Sequence, residues 1–164
     1  ALEGFHRQCN VLTLANLAQI VNVLQAPVMT EGSRIWLTPT YHALRLHIPH
    51  IGATALPVDV QNGGSLPDGS SAVSGTASRS DTGVAVTLVN RHHRDGASVR
   101  ITCADAPDQA SGQILTGDSP RAVNSLRQPE AVAPAAHPVR SDGRGEWLVD
   151  LPAHSMATIV IRPS

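Results

Sequence analysis

Residues 15–56, ANLAQIVNVLQAPVMTEGSRIWLTPTYHALRLHIPHIGATAL, decide how this chain is read. Just upstream and into the stretch, Val11, Leu14, Ala15 and Ala18 recur at helical spacing, which predicts one apolar stripe on a helix within residues 2–18. Ile20, Val21, Val23 and Leu24 then form a compact, largely β-branched run. Pro27 limits its extension, because proline cannot donate to a ladder. Apart from Asn22 and Gln25 the run is apolar on both faces, as are strands of a parallel sheet covered on both sides. Residues 30–34 read as a polar loop turning at Gly32. Thr38-Pro39 opens a second helix: the hydroxyl can cap, and proline at the first helical position lacks an N–H that would be unpaired anyway. Ala43, Leu44 and Leu46 continue it, and Pro49 and Gly52 end it.

Helix, two-sided strand, loop and helix is the order of the closing unit of a (β/α)8 TIM barrel. A whole barrel takes about 250 residues, more than the 164 present. The expectation is therefore that the chain opens inside a barrel whose other strands lie elsewhere.

From Gly52 onward the apolar pattern alternates. Strands are expected at residues 55–60, 72–79, 84–90, 98–103, 111–115, 147–151 and 156–161, separated by Gly, Asp, Asn and Pro clusters. Short strands punctuated in this way predict an antiparallel, jelly-roll-like β-sandwich. Residues 61–71 form a Gly/Ser/Pro loop. Residues 118–145 show little periodicity, and a loop of that length in a compact domain is expected to pack over something. The fold class expected is mainly β. Residues 1–51 would form the last helix-strand-helix segment of a barrel, and residues 52–164 a sandwich domain.

Composition narrows the function. The net charge is −1, and all twelve basic residues are arginine, scattered without a stripe. Nucleic acid is therefore a poor partner. No apolar run reaches the roughly 18 residues needed to span a bilayer, so no membrane partner is expected. Cys9 and Cys103 are too few and too far apart for a disulfide framework or a zinc site. His42 and His47 are five apart and fall on different sides of a helix, and His50 lies beyond Pro49. No metal or other cofactor is expected. His154-Ser155 lacks a G-x-S-x-G partner and reads as a turn before the last strand. His92-His93 reads as a solvated hairpin loop.

Several motifs carry a resemblance: ANLAQIVNVLQAPVMTEG, LTPTYHALRLH, the spaced pair ATALPV and DLPAHSMATI, and LTGDSPRAVNSLRQPEAVAP with its Asn-x-x-x-x-Pro-x-x-Val spacing. Over nearly its whole length the chain resembles the C-terminal part of glycoside hydrolase family 51, the α-L-arabinofuranosidases. The resemblance implies a catalytic barrel followed by a packed β-sandwich, retaining chemistry by two glutamates, and arabinofuranosyl oligosaccharides of arabinan or arabinoxylan as substrate. It also implies a hexameric homo-oligomer and, from bacterial relatives, a cytoplasmic location.

The chain's glutamates are Glu3, Glu31, Glu130 and Glu146. None stands in the family's Asn-Glu-Pro context or in its nucleophile context. The resemblance therefore places no catalytic residue in this chain, which alone is expected to be inactive and to need the barrel portion of the same enzyme as partner.

Gln25 is the expected substrate contact. Barrel enzymes bind substrate at the C-terminal ends of strands, and an amide both donates to and accepts from hydroxyls. Strand alternation puts Gln25 on the face of Val21 and Val23, and Asn22 on the other. The resemblance implies that the glutamine at this position touches the arabinose ring. Trp36 is a second candidate, as a stacking wall for the sugar beyond the cleaved bond or as a closure between barrel and sandwich. The alternative function is a non-catalytic sandwich that binds carbohydrate or serves structure and assembly.

Overall fold

The computed structural model describes residues 1–17, 19–24, 26–103, 109–142 and 145–162. In chain order its elements are α1 (Leu2–Arg7), β1 (Val28–Glu31), β2 (Arg34–Leu37), α2 (Pro39–Leu46) and a 3-10 turn (Ile48–His50). Nine strands follow: β3 (Thr54–Leu56), β4 (Val73–Ser80), β5 (Gly83–Asn90), β6 (Ala97–Thr102), β7 (Gln109–Leu115), β8 (Ala135–His137), β9 (Arg140–Ser141), β10 (Glu146–Leu151) and β11 (Ser155–Arg162). The protein is mainly β, with antiparallel sheets and few helices.

A six-stranded sheet runs β3-β4-β5-β11-β7-β8, and a three-stranded sheet runs β6-β10-β9. Register explains why their inner faces are dry. Ala77 pairs with Val86 and Val86 with Ile159, while Gly75 pairs with Leu88 and Leu88 with Ala157. One parity of each strand thus collects Val84, Val86, Leu88, Ala157, Ile159 and Ile161 on a single face, where they pack with Ile101, Trp147, Val149 and Leu151 of the smaller sheet. Six of the seven expected strands lie at these positions, because an apolar parity over six to eight residues holds register strongly. The strand expected at 55–60 is cut short to β3, which ends at Leu56 before Pro57.

The other parity of the large sheet carries polar side chains, yet they are buried. Thr76, Thr87 and Thr158 sit side by side on three adjacent strands, and all are buried with Ser78. The cover is the chain's first fifty residues. His50 bridges Ser78 (2.7 Å) and Thr87 (2.8 Å), and Thr87 bonds Thr158 (2.9 Å). From α1, His6 Nδ1 bonds Thr76 (2.8 Å), and Glu3 accepts from the Ser74 hydroxyl (2.7 Å). Farther along, Leu46 and Ala43 of α2 pack with Leu115, Val132 and Met156. The molecule therefore has three layers, with the six-stranded sheet in the middle.

Three expectations need correction. Helix α1 ends at Arg7 rather than running toward Ala18, and Ala18 lies outside the described residues. Val11 and Leu14, the intended stripe, are exposed; a helix without a tertiary surface to bury its stripe is marginal. The described residues of the 20–25 run form a single parallel bridge, Val21 to Val28, instead of a strand, and Asn22 turns the backbone with φ of 56°. A two-sided parallel strand needs neighbours at both edges, and here the backbone pairing it makes is the single bridge to Val28. Residues 30–34, read as a polar loop, are the tip of a β-hairpin over residues 28–37. Glu31 pairs with Arg34 across Gly32-Ser33, and φ of 60° at Gly32 suits such a two-residue turn.

The long stretch 118–145 holds two short strands. β8 joins the large sheet and β9 the small one, so the chain crosses between layers there. Residues 91–96 likewise connect β5 to β6 in the other sheet rather than closing a hairpin. Among the described residues, no helix is long and apolar enough to cross a membrane.

Candidate functional site

The surface that gathers the sequence's candidate residues is the hairpin β1–β2 with the segments that hold it. Trp36 lies on β2 opposite Met29 and is half-buried. Gln25 lies outside the described residues. Its neighbour Ala26 is buried and fixed twice: the Thr38 hydroxyl donates to its carbonyl (2.7 Å), and Thr38 N–H donates to the adjacent Pro27 carbonyl (2.9 Å). The Thr38 hydroxyl therefore anchors the loop base instead of capping α2, which still starts at Pro39 with no side-chain cap.

Asn22 has a job the sequence did not reveal. Its Nδ2 donates to the Thr30 hydroxyl (2.8 Å), and its Oδ1 accepts from Thr30 N–H (2.7 Å). This bracket ties segment 20–24 to β1. At the other end of the hairpin, Asn124 of the long loop donates to the Leu37 carbonyl (2.9 Å). The same amide donates to the Val132 carbonyl (2.8 Å) and accepts from Val132 N–H (2.7 Å). The Asn-x-x-x-x-Pro-x-x-Val spacing thus has a physical cause: one amide closes the loop on itself and pins it to β2. That spacing was the only signal in the sequence that could have found Asn124.

Three of the four glutamates have partners in separate parts of the fold. Glu31 is exposed and faces Arg34 at 3.9 Å, Glu3 is engaged by Ser74, and Glu146 pairs with Arg100 at 3.1 Å. Each serves a different part of the fold. Retaining glycoside hydrolysis needs two carboxyls about 5–5.5 Å apart.

The histidines form a cluster of another kind. Rings of His6, His47 and His50 lie 4.7 to 5.7 Å apart between the helices and the large sheet. His47 Nδ1–H donates to the Ala43 carbonyl (2.9 Å). Burial pushes the His50 pKa down to about 4, helped by neighbouring His6 and His47. Burial also lowers His6, His42 and His47. His6, His47 and His50 serve the fold as hydrogen-bonding groups. His154 bonds the Gly117 carbonyl (2.9 Å) in the turn before β11.

The sandwich's one tryptophan, Trp147, is buried in the core, so it offers no stacking platform. A groove of about 1170 Å³ between the sheets is lined by residues such as Val58, Asn62, Val86 and Arg100, with no aromatic ring besides His92.

Residues 1–155 match the family model for the alpha-L-arabinofuranosidase C-terminal domain. The chain is 34% identical over 171 residues to an intracellular exo-alpha-L-arabinofuranosidase of Bacteroides ovatus, a match covering 99% of this chain and 32% of that protein. Its structure is similar to the GH51 arabinofuranosidase of Xanthomonas axonopodis pv. citri, with a TM-score of 0.85 and 35% identity over 96% of this chain and 33% of that one. It also shares the fold of the thermostable GH51 enzyme of Thermotoga petrophila, with a TM-score of 0.78 and 23% identity over 96% of this chain and 36% of that one. The chain spans about a third of the length of these relatives. With a sandwich, a hairpin-bearing N-terminal segment and a match across nearly its whole length, this chain belongs to the alpha-L-arabinofuranosidase C-terminal domain family.

Proposed function

We propose that this chain is the sandwich-bearing part of a retaining α-L-arabinofuranosidase. In this reading residues 1–51 complete a (β/α)8 barrel, residues 52–164 form the sandwich packed on it, and both catalytic glutamates come from the barrel portion of the same enzyme. The substrate is a terminal α-L-arabinofuranosyl group on arabinan or arabinoxylan fragments.

One observation carries the reading. Val11, Leu14, Ile20 and Leu24 are 64 to 100% exposed, whereas the sandwich buries Val149, Leu151, Ala157, Ile159 and Ile161 almost completely. Large apolar side chains left exposed along one short segment support a missing contact, and the run at 20–24 has the two-sided composition of a barrel strand. Once neighbours pair with it, Gln25 stands at the strand's end, where its amide can hold sugar hydroxyls. Trp36, on the hairpin that follows, walls the sugar beyond the cleaved bond.

The chemistry divides accordingly. One barrel carboxylate attacks the anomeric carbon; the other protonates the leaving oxygen and then activates water. This chain supplies orientation. The buried Trp147 speaks against a carbohydrate-binding module built on an aromatic platform. We place the enzyme inside the cell, since the Bacteroides ovatus relative is named an intracellular enzyme, and the family resemblance implies a homo-oligomer.

Expressed alone, the chain is expected to aggregate and to hydrolyse no arabinofuranoside; co-produced with the barrel portion, it should be soluble and active. Denaturing mass spectrometry of the active material should then find the barrel glutamates covalently or noncovalently accompanying this chain. Hydrolysis by the 17.2 kDa species alone would overturn the proposal.

A further inference from the structure

The long loop 118–134 belongs to the sandwich, yet it reaches the hairpin that carries Trp36. Among the described residues, one side chain of the loop hydrogen-bonds the hairpin. Asn124 is 6% exposed and makes three hydrogen bonds: two to Val132 within the loop, and one from Nδ2 to the carbonyl of Leu37, the last residue of β2. The loop itself is firmly seated. Val132 packs with Leu46 and Leu115, and Ser125 and Gln128 exchange backbone hydrogen bonds of 3.1 Å. The hairpin's turn end is less so: Glu31, Arg34 and Ile35 are exposed, while it is also tied by Asn22 to Thr30 and, at its base, by Thr38 to Ala26 and Pro27. A rigid amide therefore holds the root of a protruding strand, one residue from Trp36.

The chemistry of that position is specific. It requires two N–H donors in a fork aimed at two carbonyls, with an acceptor on the same group for Val132 N–H. Asparagine supplies all three, aspartate only the acceptor, and serine has one donor.

We propose that Asn124 is a positioning residue for sugar binding: by holding the Leu37 carbonyl, it fixes the height and angle at which β2 presents Trp36. The sandwich then takes part in substrate recognition without touching substrate. The inference rests on the reading that Trp36 walls the sugar beyond the cleaved bond.

The test uses the whole enzyme containing this chain, with Asn124→Ala, Asn124→Asp, Val132→Ala and Trp36→Ala, arabino-oligosaccharide kinetics, and hydrogen exchange read by mass spectrometry. In Asn124→Ala the peptide spanning 28–37 should exchange about tenfold faster, with β5 and β11 unchanged. KM should rise about five- to tenfold with kcat within about twofold, and the double variant with Trp36→Ala should bind no more weakly than Trp36→Ala itself. Asn124→Asp should behave alike if the alanine variant folds poorly. Val132→Ala should lower the melting temperature but leave KM unchanged, which separates positioning from general loop damage. Unchanged exchange in 28–37 would overturn the proposal, as would faster exchange with unchanged KM. If Trp36→Ala leaves KM unchanged, the sugar-wall reading fails and the proposal falls with it; faster hairpin exchange in Asn124→Ala would still identify that as the cause.

Discussion

Trp147→Ala is expected to destabilise the sandwich by about 3–5 kcal/mol, and Trp147→Phe by about 1 kcal/mol or less. Trp147 sits on β10 opposite Ile101 and packs in the core with Val86, Val149 and Ile159. Truncation to alanine removes the largest side chain of that core and leaves a cavity that paired strands cannot collapse into. Phenylalanine loses less volume and also removes a burden. The indole Nε1–H is buried and has no hydrogen-bond partner among the described residues. An unsatisfied buried donor costs about 1–3 kcal/mol, so its removal offsets much of the lost contact area. Urea midpoints of the two variants would check this. Equal losses for Phe and Ala would mean that the indole N–H has an acceptor in the assembled protein.

Acid should loosen the joint between the N-terminal layer and the large sheet. His50 is held neutral by burial, with its pKa pushed down to about 4, whereas an unfolded histidine titrates near 6.5. Between these values the unfolded chain binds a proton that the folded chain does not, so stability rises with pH across that window. Its contribution is fully present above about pH 6.5 and is progressively lost as pH falls toward about 4. With allowance for solvent screening, the loss from this group by pH 5 is about 1–2 kcal/mol. The groups facing it are His6 from α1, His47 at the end of α2, and the hydroxyls of Ser78 and Thr87 from the sheet, while Glu3 acts on His6 and His47. His6 and His47 are shifted in the same direction and add to the slope. Melting temperatures from pH 7 to 5 should therefore fall less steeply in His50→Gln than in the native sequence. Identical slopes would show that His50 does not govern the acid response.

Where pattern and burial agree, the chain was readable. In β5 and β11 one parity is wholly apolar, with Val84, Val86, Leu88, Ala157, Ile159 and Ile161, and a one-residue slip would turn that set out of the core, so their positions follow from sequence. Thr38-Pro39 marked the start of α2 for a reason that survives, since Pro39 is its first residue, although the threonine hydroxyl turned out to bond Ala26. The hairpin 28–37 was missed because Met29, Glu31, Arg34 and Trp36 present no alternating apolar face. Its strands are held by a two-residue turn and by the amides of Asn22 and Asn124, contacts that no periodicity encodes. Expectations for Gln25 rested on family resemblance and strand parity. Its place beside the sugar remains part of the proposed function, together with the barrel strand it would end.

By itself the sequence determined the sandwich: alternating apolar positions separated by turn residues bury one face of each strand, and that requirement is local enough to read. Only the tertiary structure decided what the opposite face of the large sheet does. Thr76, Ser78, Thr87 and Thr158 spell a solvent-facing pattern, yet they are buried beneath histidines drawn from the far end of the chain. Hydrogen bonding accounts for the difference. A hydroxyl satisfied by water and one satisfied by an imidazole demand the same residue type, so the choice between them lies in where distant segments come to rest.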